Sequence, residues 1–108
     1  MKMSETMIKV ATSFSKLPCV RRKKDGPYSG EEFRVDRLLP AFAESERVVV
    51  DLEGCLALGS SFLDEAFAGL IRYHGFTYMQ LKNRLEIRFS VKSYIDEAWK
   101  FMKEARSV

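Results

Sequence analysis

The chain has 108 residues, a net charge of +3 at neutral pH and an apolar fraction of 46%. This length fits one domain, and the ordinary apolar fraction favours a folded protein over a disordered one. The small net charge argues against a strong nucleic-acid binder. No apolar run approaches the roughly 20 residues that cross a membrane, and the first ten residues lack the apolar core of a signal peptide.

The cysteine and histidine content argues against a metal site. Cys19, Cys55 and a single histidine cannot supply the four ligands that a structural zinc ion needs. The simplest interpretation is a cytoplasmic protein with reduced thiols. We therefore expect no metal and no cofactor.

The first half of the chain predicts a strand, a loop and a helix. Residues 7–14 alternate between apolar and polar, which is typical of a strand buried on one face. Turn residues over 15–30 predict a loop. Ser29 and Glu32 fit a capping box that opens a helix. The inner stripe of that helix is predicted to contain Val35, Leu38, Leu39 and Phe42, and Pro40 should kink or restart it.

The second half continues the alternation of strands and helices. Residues 47–54 contain three consecutive β-branched valines, which predict a strand covered on both faces. Residues 62–71 repeat with helical period, and Gly75 is the expected stop. A short helical turn over residues 77–83 precedes an alternating strand over 84–89. Ser93 and Asp96 fit a capping box for the last helix. This order predicts an α/β fold with right-handed crossovers.

Two adjacent serines, Ser60 and Ser61, stand between the most buried strand and the next helix. Ser61 and Asp64 fit a cap, which is the simplest interpretation. The alternative is a functional site, because sites in open α/β sheets collect beyond the carboxyl ends of strands and helix N-termini stabilise anions. Asp64 and Glu65 would repel a phosphate, so phosphorylation there could expel a partner.

Several segments together resemble the bacterial STAS-like domains of unknown function, distant relatives of the anti-sigma factor antagonists. These segments are DGPYSGEEFR (25–34), LLPAF (38–42), VVVDLEG (48–54), GSSFLDEAFAGLIR (59–72) and, more weakly, RLEI (84–87). The resemblance implies a single STAS-like domain over residues 1–108. Its central, mostly parallel sheet would have three to five strands, flanked by about three helices.

The resemblance also implies a regulatory protein-interaction module rather than an enzyme. In the wider STAS group a partner kinase, which is also an anti-sigma factor, phosphorylates a serine in an Asp-Ser-Ser-Gly turn. The matching acceptor is Ser61, with Ser60 beside it, although Gly59 and Phe62 replace the flanking aspartate and glycine. Phe62 is expected in the core with Phe67; as an alternative, partial exposure at the helix start would make it an anchor for a partner. The proposed partner is a kinase-like ATPase. The candidate partner-binding residues are Gly59, Phe62, Asp64, Glu65, Asp25, Gly26, Ser29 and Arg34. A homo-oligomer stays open.

Two other functions remain as alternatives. Nucleic acid could bind the basic run Arg21, Arg22, Lys23 and Lys24, although nearby acidic residues favour a solvated loop. A small enzyme is the third possibility. A triad of Ser61, His74 and either Asp51 or Asp64 is disfavoured, because His74 lies about 20 Å along the helix from Ser61. The lack of a deep polar pocket would count against an enzyme.

Overall fold

The computed structural model describes residues 4–108 and contains a three-stranded sheet. The strands are β1 (Glu5–Lys9), β2 (Arg47–Asp51) and β3 (Leu85–Arg88). They lie in the order β1-β2-β3, and both neighbouring pairs are parallel. The predicted α/β class and parallel sheet are confirmed, with a sheet of three strands among the described residues.

The helices connect and follow these strands. Helix α1 is a single turn (Val10–Ser13), and Lys23–Asp25 forms a 3-10 turn. Helix α2 spans residues 30–44 as an α-helical turn, Gly30–Phe33, a wider π-helical turn, Arg34–Leu38, and a second α-helical segment, Leu39–Glu44. Helix α3 spans residues 60–74 in the same way, as Ser60–Leu63, Asp64–Ala68 and Gly69–His74. Helices α4 (Tyr78–Arg84) and α5 (Lys92–Glu104) flank β3. None of the helices described is long and apolar enough to cross a membrane.

Strand β2 lies at the centre of the sheet, and its three consecutive valines are buried. Val48 and Val50 point into the main core, which the helices share. Val49 points to the opposite face, where its neighbours in register are Met7 and Glu86. The predicted burial of this strand on both faces is confirmed. The second face is bordered by charged side chains, including the ion pair between Arg47 and Glu86 at 2.8 Å.

The first strand ends earlier than its alternating pattern predicts. Strand β1 stops at Lys9, and the chain turns into α1 at Val10. The hydroxyl of Ser13 donates a hydrogen bond of 2.6 Å to the Lys9 carbonyl. Such local side-chain-to-backbone bonds compete with strand pairing, and the alternation of hydrophobicity does not reveal them. The predicted strand over residues 7–14 is therefore wrong beyond Lys9.

Helix α2 begins at the predicted cap but presents a different inner face. The Ser29 hydroxyl accepts from the Glu32 N–H at 3.0 Å, as predicted, whereas the Glu32 carboxylate accepts from the Tyr28 N–H. Val35 is exposed, and Arg34 is buried in its place. The expected change at Pro40 is confirmed, because α-helical geometry restarts at Leu39 and places the proline in a first turn.

The later helix boundaries follow the sequence except in α5. Gly75 ends α3 in the left-handed conformation at φ 76°, and Thr77 with Gln80 forms a full capping box for α4. Helix α5 begins at Lys92, and the residue before it, Val91, makes no side-chain cap. Ser93 lies inside the helix, so the capping box predicted there is wrong.

Candidate functional site

Two loops meet beyond the carboxyl ends of β1 and β2. The Leu56 N–H donates to the Lys16 carbonyl at 2.7 Å, and the Gly59 N–H donates to the Pro18 carbonyl at 3.0 Å. A Cβ atom on Gly59 would lie 2.8 Å from the Cys19 carbonyl oxygen, so a larger residue cannot approach this closely. The loops over residues 14–22 and 52–59 are thereby held side by side at the start of α3.

The two serines occupy the first helical turn of α3 rather than its cap. Gly59 is the N-cap residue, and its carbonyl accepts from the Leu63 N–H at 3.1 Å. The prediction that Ser61 caps the helix is therefore wrong, because the chain enters helical geometry one residue earlier. Ser60 is exposed and Ser61 is half-buried.

Exposed leucines lie on the two loops that meet at the start of α3. Leu17 is 59% exposed and Leu56 is 76% exposed, on the two loops that the backbone hydrogen bonds join. Cys19 is also exposed there. We call this surface the serine corner and define it by six residues: Leu17, Cys19, Leu56, Gly59, Ser60 and Ser61. The leucines were not among the predicted site residues. Each is an apolar residue in a loop that is otherwise rich in turn residues, and this pattern indicates an exposed apolar side chain.

Phe62 does not belong to this exposed surface. Its side chain is fully buried, with its ring centroid 5.6 Å from that of Phe33 and 6.2 Å from that of Phe14. The expected core position of Phe62 is confirmed, and the alternative of a partly exposed anchor is wrong, because α2 packs against the start of α3. The ring contributes to the core, and the exposed leucines provide the apolar surface of the corner.

Arg34 and Glu65 form a buried ion pair between α2 and α3. Arg34 Nη1 lies 2.9 Å from Glu65 Oε2 and also donates to the Glu65 backbone carbonyl. The two side chains are 5% and 4% exposed. Burial therefore contradicts their assignment as partner-binding residues. We call this pair, with the glycines that make room for it, the helix clamp: Gly30, Arg34, Glu65 and Gly69.

The glycines of the clamp let the helices and the guanidinium approach closely. A Cβ on Gly30 would lie 2.7 Å from the Phe62 carbonyl oxygen and 3.1 Å from the Ala66 nitrogen. A Cβ on Gly69 would collide with the Arg34 guanidinium, whose Cζ would be 2.9 Å away. The wide turn Asp64–Ala68 surrounds the carbonyl that Arg34 binds. These glycines were not predicted as site residues, although the small residues at positions 30, 66 and 69 indicate a close helix contact.

His74 also contacts the clamp. Arg34 Nε donates to His74 Nε2 at 3.2 Å, so this nitrogen must be unprotonated to accept. Burial, and then the positive charge of Arg34, lower the pKa of His74 below its ordinary value. This bond turns the imidazole toward α2, which gives no support to the triad with Ser61.

Asp64 is bound by two arginines. Arg21 Nη1 lies 3.0 Å from Asp64 Oδ2, and Arg72 Nη2 lies 2.7 Å from Asp64 Oδ1. Arg21 also reaches Glu65 at 3.4 Å. Arginines therefore neutralise the carboxylates at positions 64 and 65, which weakens the repulsion of a phosphate expected there.

The basic run is divided between structure and solvent. Arg21 is bound to α3, whereas Arg22, Lys23 and Lys24 are exposed. The Lys23 N–H donates to the Glu31 carboxylate at 2.9 Å, which places a negative charge beside the run. In the neighbouring segment, Asp25 is exposed, Gly26 is half-buried and Ser29 is fully buried at its cap.

A cavity of about 260 Å³ lies at the other end of α3. Its lining consists of His74, Gly75, Phe76, Gln80 and Arg84. The guanidinium of Arg84 already donates to three backbone carbonyls, those of Phe42, Ser45 and Glu46. The cavity does not include the serines. Within residues 4–108, no cluster of three or more His, Cys, Asp or Glu could hold a metal ion.

The caps predict unequal effects for two serine substitutions. Ser29→Ala removes the acceptor of the Glu32 N–H and should destabilise the fold by about 1 kcal/mol. Ser61→Ala should change stability by less than about 0.5 kcal/mol, because the residue does not cap α3. Urea unfolding of the two variants measures the difference. An equal loss in both would contradict the assignment of Gly59 as the cap.

The two thiols should differ in reactivity. Burial, and then the charges of Asp51 and Glu53, raise the pKa of Cys55 to about 11. Because the thiolate is the nucleophile, alkylation near pH 8 should modify exposed Cys19 first. Mass spectrometry of tryptic peptides after brief iodoacetamide treatment identifies the modified residue. Cys19→Ser provides the control, since it should leave almost no rapid labelling. Preferential labelling of Cys55 would contradict this prediction.

Comparison with known proteins gives one family match. A family model described as a STAS-like domain of unknown function matches residues 29–94. This stretch begins at the Ser29 cap, contains the whole helix clamp and the serine pair, and ends in the first turn of α5. No curated protein and no solved structure matches the chain.

Proposed function

The chain belongs to the family of STAS-like domains of unknown function, and we propose that it is a non-enzymatic regulatory module that binds a partner protein at the serine corner. Phosphorylation of Ser61, or of Ser60 beside it, would switch this binding. The proposed partner is a kinase-like ATPase that itself regulates another protein, as the resemblance to the wider STAS group implies. The module would act in the cytoplasm.

The observation that carries this proposal is the combination of exposed leucines with the serine pair. Leu17 and Leu56 offer apolar side chains to solvent on loops that two backbone hydrogen bonds hold in place. Exposed apolar side chains on a fixed surface suit docking, since little conformational entropy is lost when a partner covers them. Ser60 begins α3 directly after the loop that carries Leu56, so a partner that covers the leucines would lie near its hydroxyl.

A phosphate at this corner would act against binding. It would add about −1.5 to −2 charges to a surface of exposed apolar side chains. Arg21 and Arg72, the cations that bind Asp64, are already engaged. A phosphate beside the exposed leucines would also have to lose its hydration when a partner covers them. The proposed switch is therefore disruptive: the unmodified form binds, and the phosphorylated form releases.

The leucines provide the first test. The tagged protein is isolated from its native cells together with bound proteins, and the parent is compared with Leu56→Ser and Met79→Ser. Met79 is the control because it is 63% exposed but lies on α4. Leu56→Ser should lose the partner, and Met79→Ser should retain it. Equal retention by both variants would remove the corner as the docking surface.

The serine variants test the switch separately. Ser61→Asp should release the partner, Ser61→Ala should retain it, and mass spectrometry should find phosphate on Ser61 or Ser60 in the parent. If the parent carries no phosphate and neither substitution changes the bound partner, the proposed switch is wrong. Salt-dependent retention on RNA that disappears when Arg22, Lys23 and Lys24 are neutralised would favour the nucleic-acid alternative.

A further inference from the structure

Strand β1 is an edge of the sheet, and its outward backbone groups point to solvent. The Arg47 N–H donates to the Ser4 carbonyl, and the register pairs Glu5 with Arg47 and Met7 with Val49. In a parallel ladder alternate residues direct both backbone groups toward the neighbouring strand. Residues 4, 6 and 8 therefore face β2, and Glu5, Met7 and Lys9 face outward. Within residues 4–108, no hydrogen bond uses the outward groups of Met7.

The side chains of the same three residues form a pattern of charge around an apolar centre. Glu5 and Lys9 are exposed, and Met7 between them is 41% exposed. All three side chains lie on the sheet face opposite the main core, because alternate residues of a strand share a face. The order along the edge is therefore negative, apolar, positive.

We propose that two copies of this chain associate through β1, antiparallel about a two-fold axis at Met7. In this register Glu5 of each copy faces Lys9 of the other, and the two Met7 side chains meet at the centre. Directly opposed Met7 residues would exchange two N–H···O=C bonds. Two more would run from the Lys9 N–H to the Glu5 carbonyl of the other copy. The Lys9 carbonyl already accepts from Ser13.

The geometry favours a second copy over other arrangements of the same edge. A two-fold axis gives a closed pair in which both copies make the same contacts, whereas a parallel pairing of two β1 edges would make unequal contacts on the two copies. A parallel register would also place Glu5 against Glu5 and Lys9 against Lys9, which is destabilising. On the other edge, the residues whose backbone groups point away from β2 are Leu85 and Ile87. Their side chains are buried in the core, so less of β3 is available for pairing.

The association should be weak and dependent on concentration. A pair of five-residue strands covers less surface than the roughly 1,200 Å² typical of a stable complex. Paired strands would extend the sheet across two molecules and leave both serine corners free. The proposal therefore does not rest on the proposed function, and either can fail alone.

Charge exchange across the strands tests the pairing. Sedimentation velocity over a series of concentrations should show a monomer–dimer equilibrium for the parent. Lys9→Glu, or Glu5→Lys, opposes like charges at both ends of the pairing and should weaken the dimer by about tenfold. The double variant Glu5→Lys with Lys9→Glu reverses both signs and should restore it. Circular dichroism confirms that each variant is folded.

Arg88→Glu provides the matched control, because it reverses an exposed charge on the same sheet face but on β3. It should leave the dimer unchanged. A parent that stays monomeric at every concentration would overturn the proposal. So would single variants that associate as the parent does, or a double variant that is not restored. Loss of the dimer in Arg88→Glu but not in Lys9→Glu would place the interface on β3 instead.

Discussion

Replacing Arg34 with methionine is expected to destabilise the domain by about 3–5 kcal/mol, the usual cost of leaving one member of a buried ion pair alone. The substitution leaves the Glu65 carboxylate without its closest cation at a position that is nearly inaccessible to water. It also removes the donors to the Glu65 carbonyl and to His74. Arg21 remains near Glu65 at 3.4 Å but is half-exposed and also binds Asp64.

Equilibrium unfolding in urea measures the loss, and two variants control for its cause. Arg72→Met removes a more exposed arginine from Asp64 and should cost less than about 1 kcal/mol. The double variant Arg34→Met with Glu65→Met removes both charges and should recover part of the loss, because apolar replacements often substitute for buried pairs. A loss below 1 kcal/mol in Arg34→Met, or no recovery in the double variant, would contradict the assigned role of the clamp.

Gly30→Ala is expected to cost about 1–3 kcal/mol by forcing α2 away from α3. The new methyl group would meet the Phe62 carbonyl oxygen and the Ala66 nitrogen, which are backbone atoms and cannot rotate aside. Alanine normally favours a helix over glycine, so a loss of stability at this position would be the opposite of the intrinsic preference. Urea unfolding gives its size, and amide hydrogen exchange should speed up in both α2 and α3.

Gly75→Ala separates steric contact from backbone strain. A Cβ on Gly75 would have no atom within 4 Å, but its φ of 76° is unfavourable for alanine. We expect a cost of about 1 kcal/mol, with faster exchange restricted to the end of α3. If Gly30→Ala were neutral, or if its faster exchange stayed near residue 30, the close approach of the helices would be refuted.

The features that sequence predicted well are those set by near neighbours. The cap at Ser29, the stop at Gly75 and the buried valines of β2 depend on residues close in the chain, and all three are found. Strand β3 also follows its pattern, with Leu85 and Ile87 inward. These features need only local hydrogen bonding and the period of the apolar residues.

The site was predicted less well because its contacts join distant positions. Arg34 and Glu65 are 31 residues apart, and Arg21 and Asp64 are 43 residues apart. No spacing rule within one helix reveals such pairs. The position of Arg34 held a clue. Together with residues 30, 33, 38 and 41 it forms the buried stripe of α2, and a charge in such a stripe requires a buried partner.

Backbone hydrogen bonds join the two loops of the serine corner, so the loops can be exchanged between related proteins only as a pair. Leu56 and Gly59 are held by carbonyls of residues 16 and 18, so a chimaera that grafts one loop from a relative would mismatch both attachments. Grafting residues 14–22 and 52–59 together would preserve the attachments and carry the exposed leucines with them. The helix clamp lies outside both segments, except that Glu65 contacts Arg21. Relatives that keep the clamp and differ in the two loops would therefore share the fold and bind different partners.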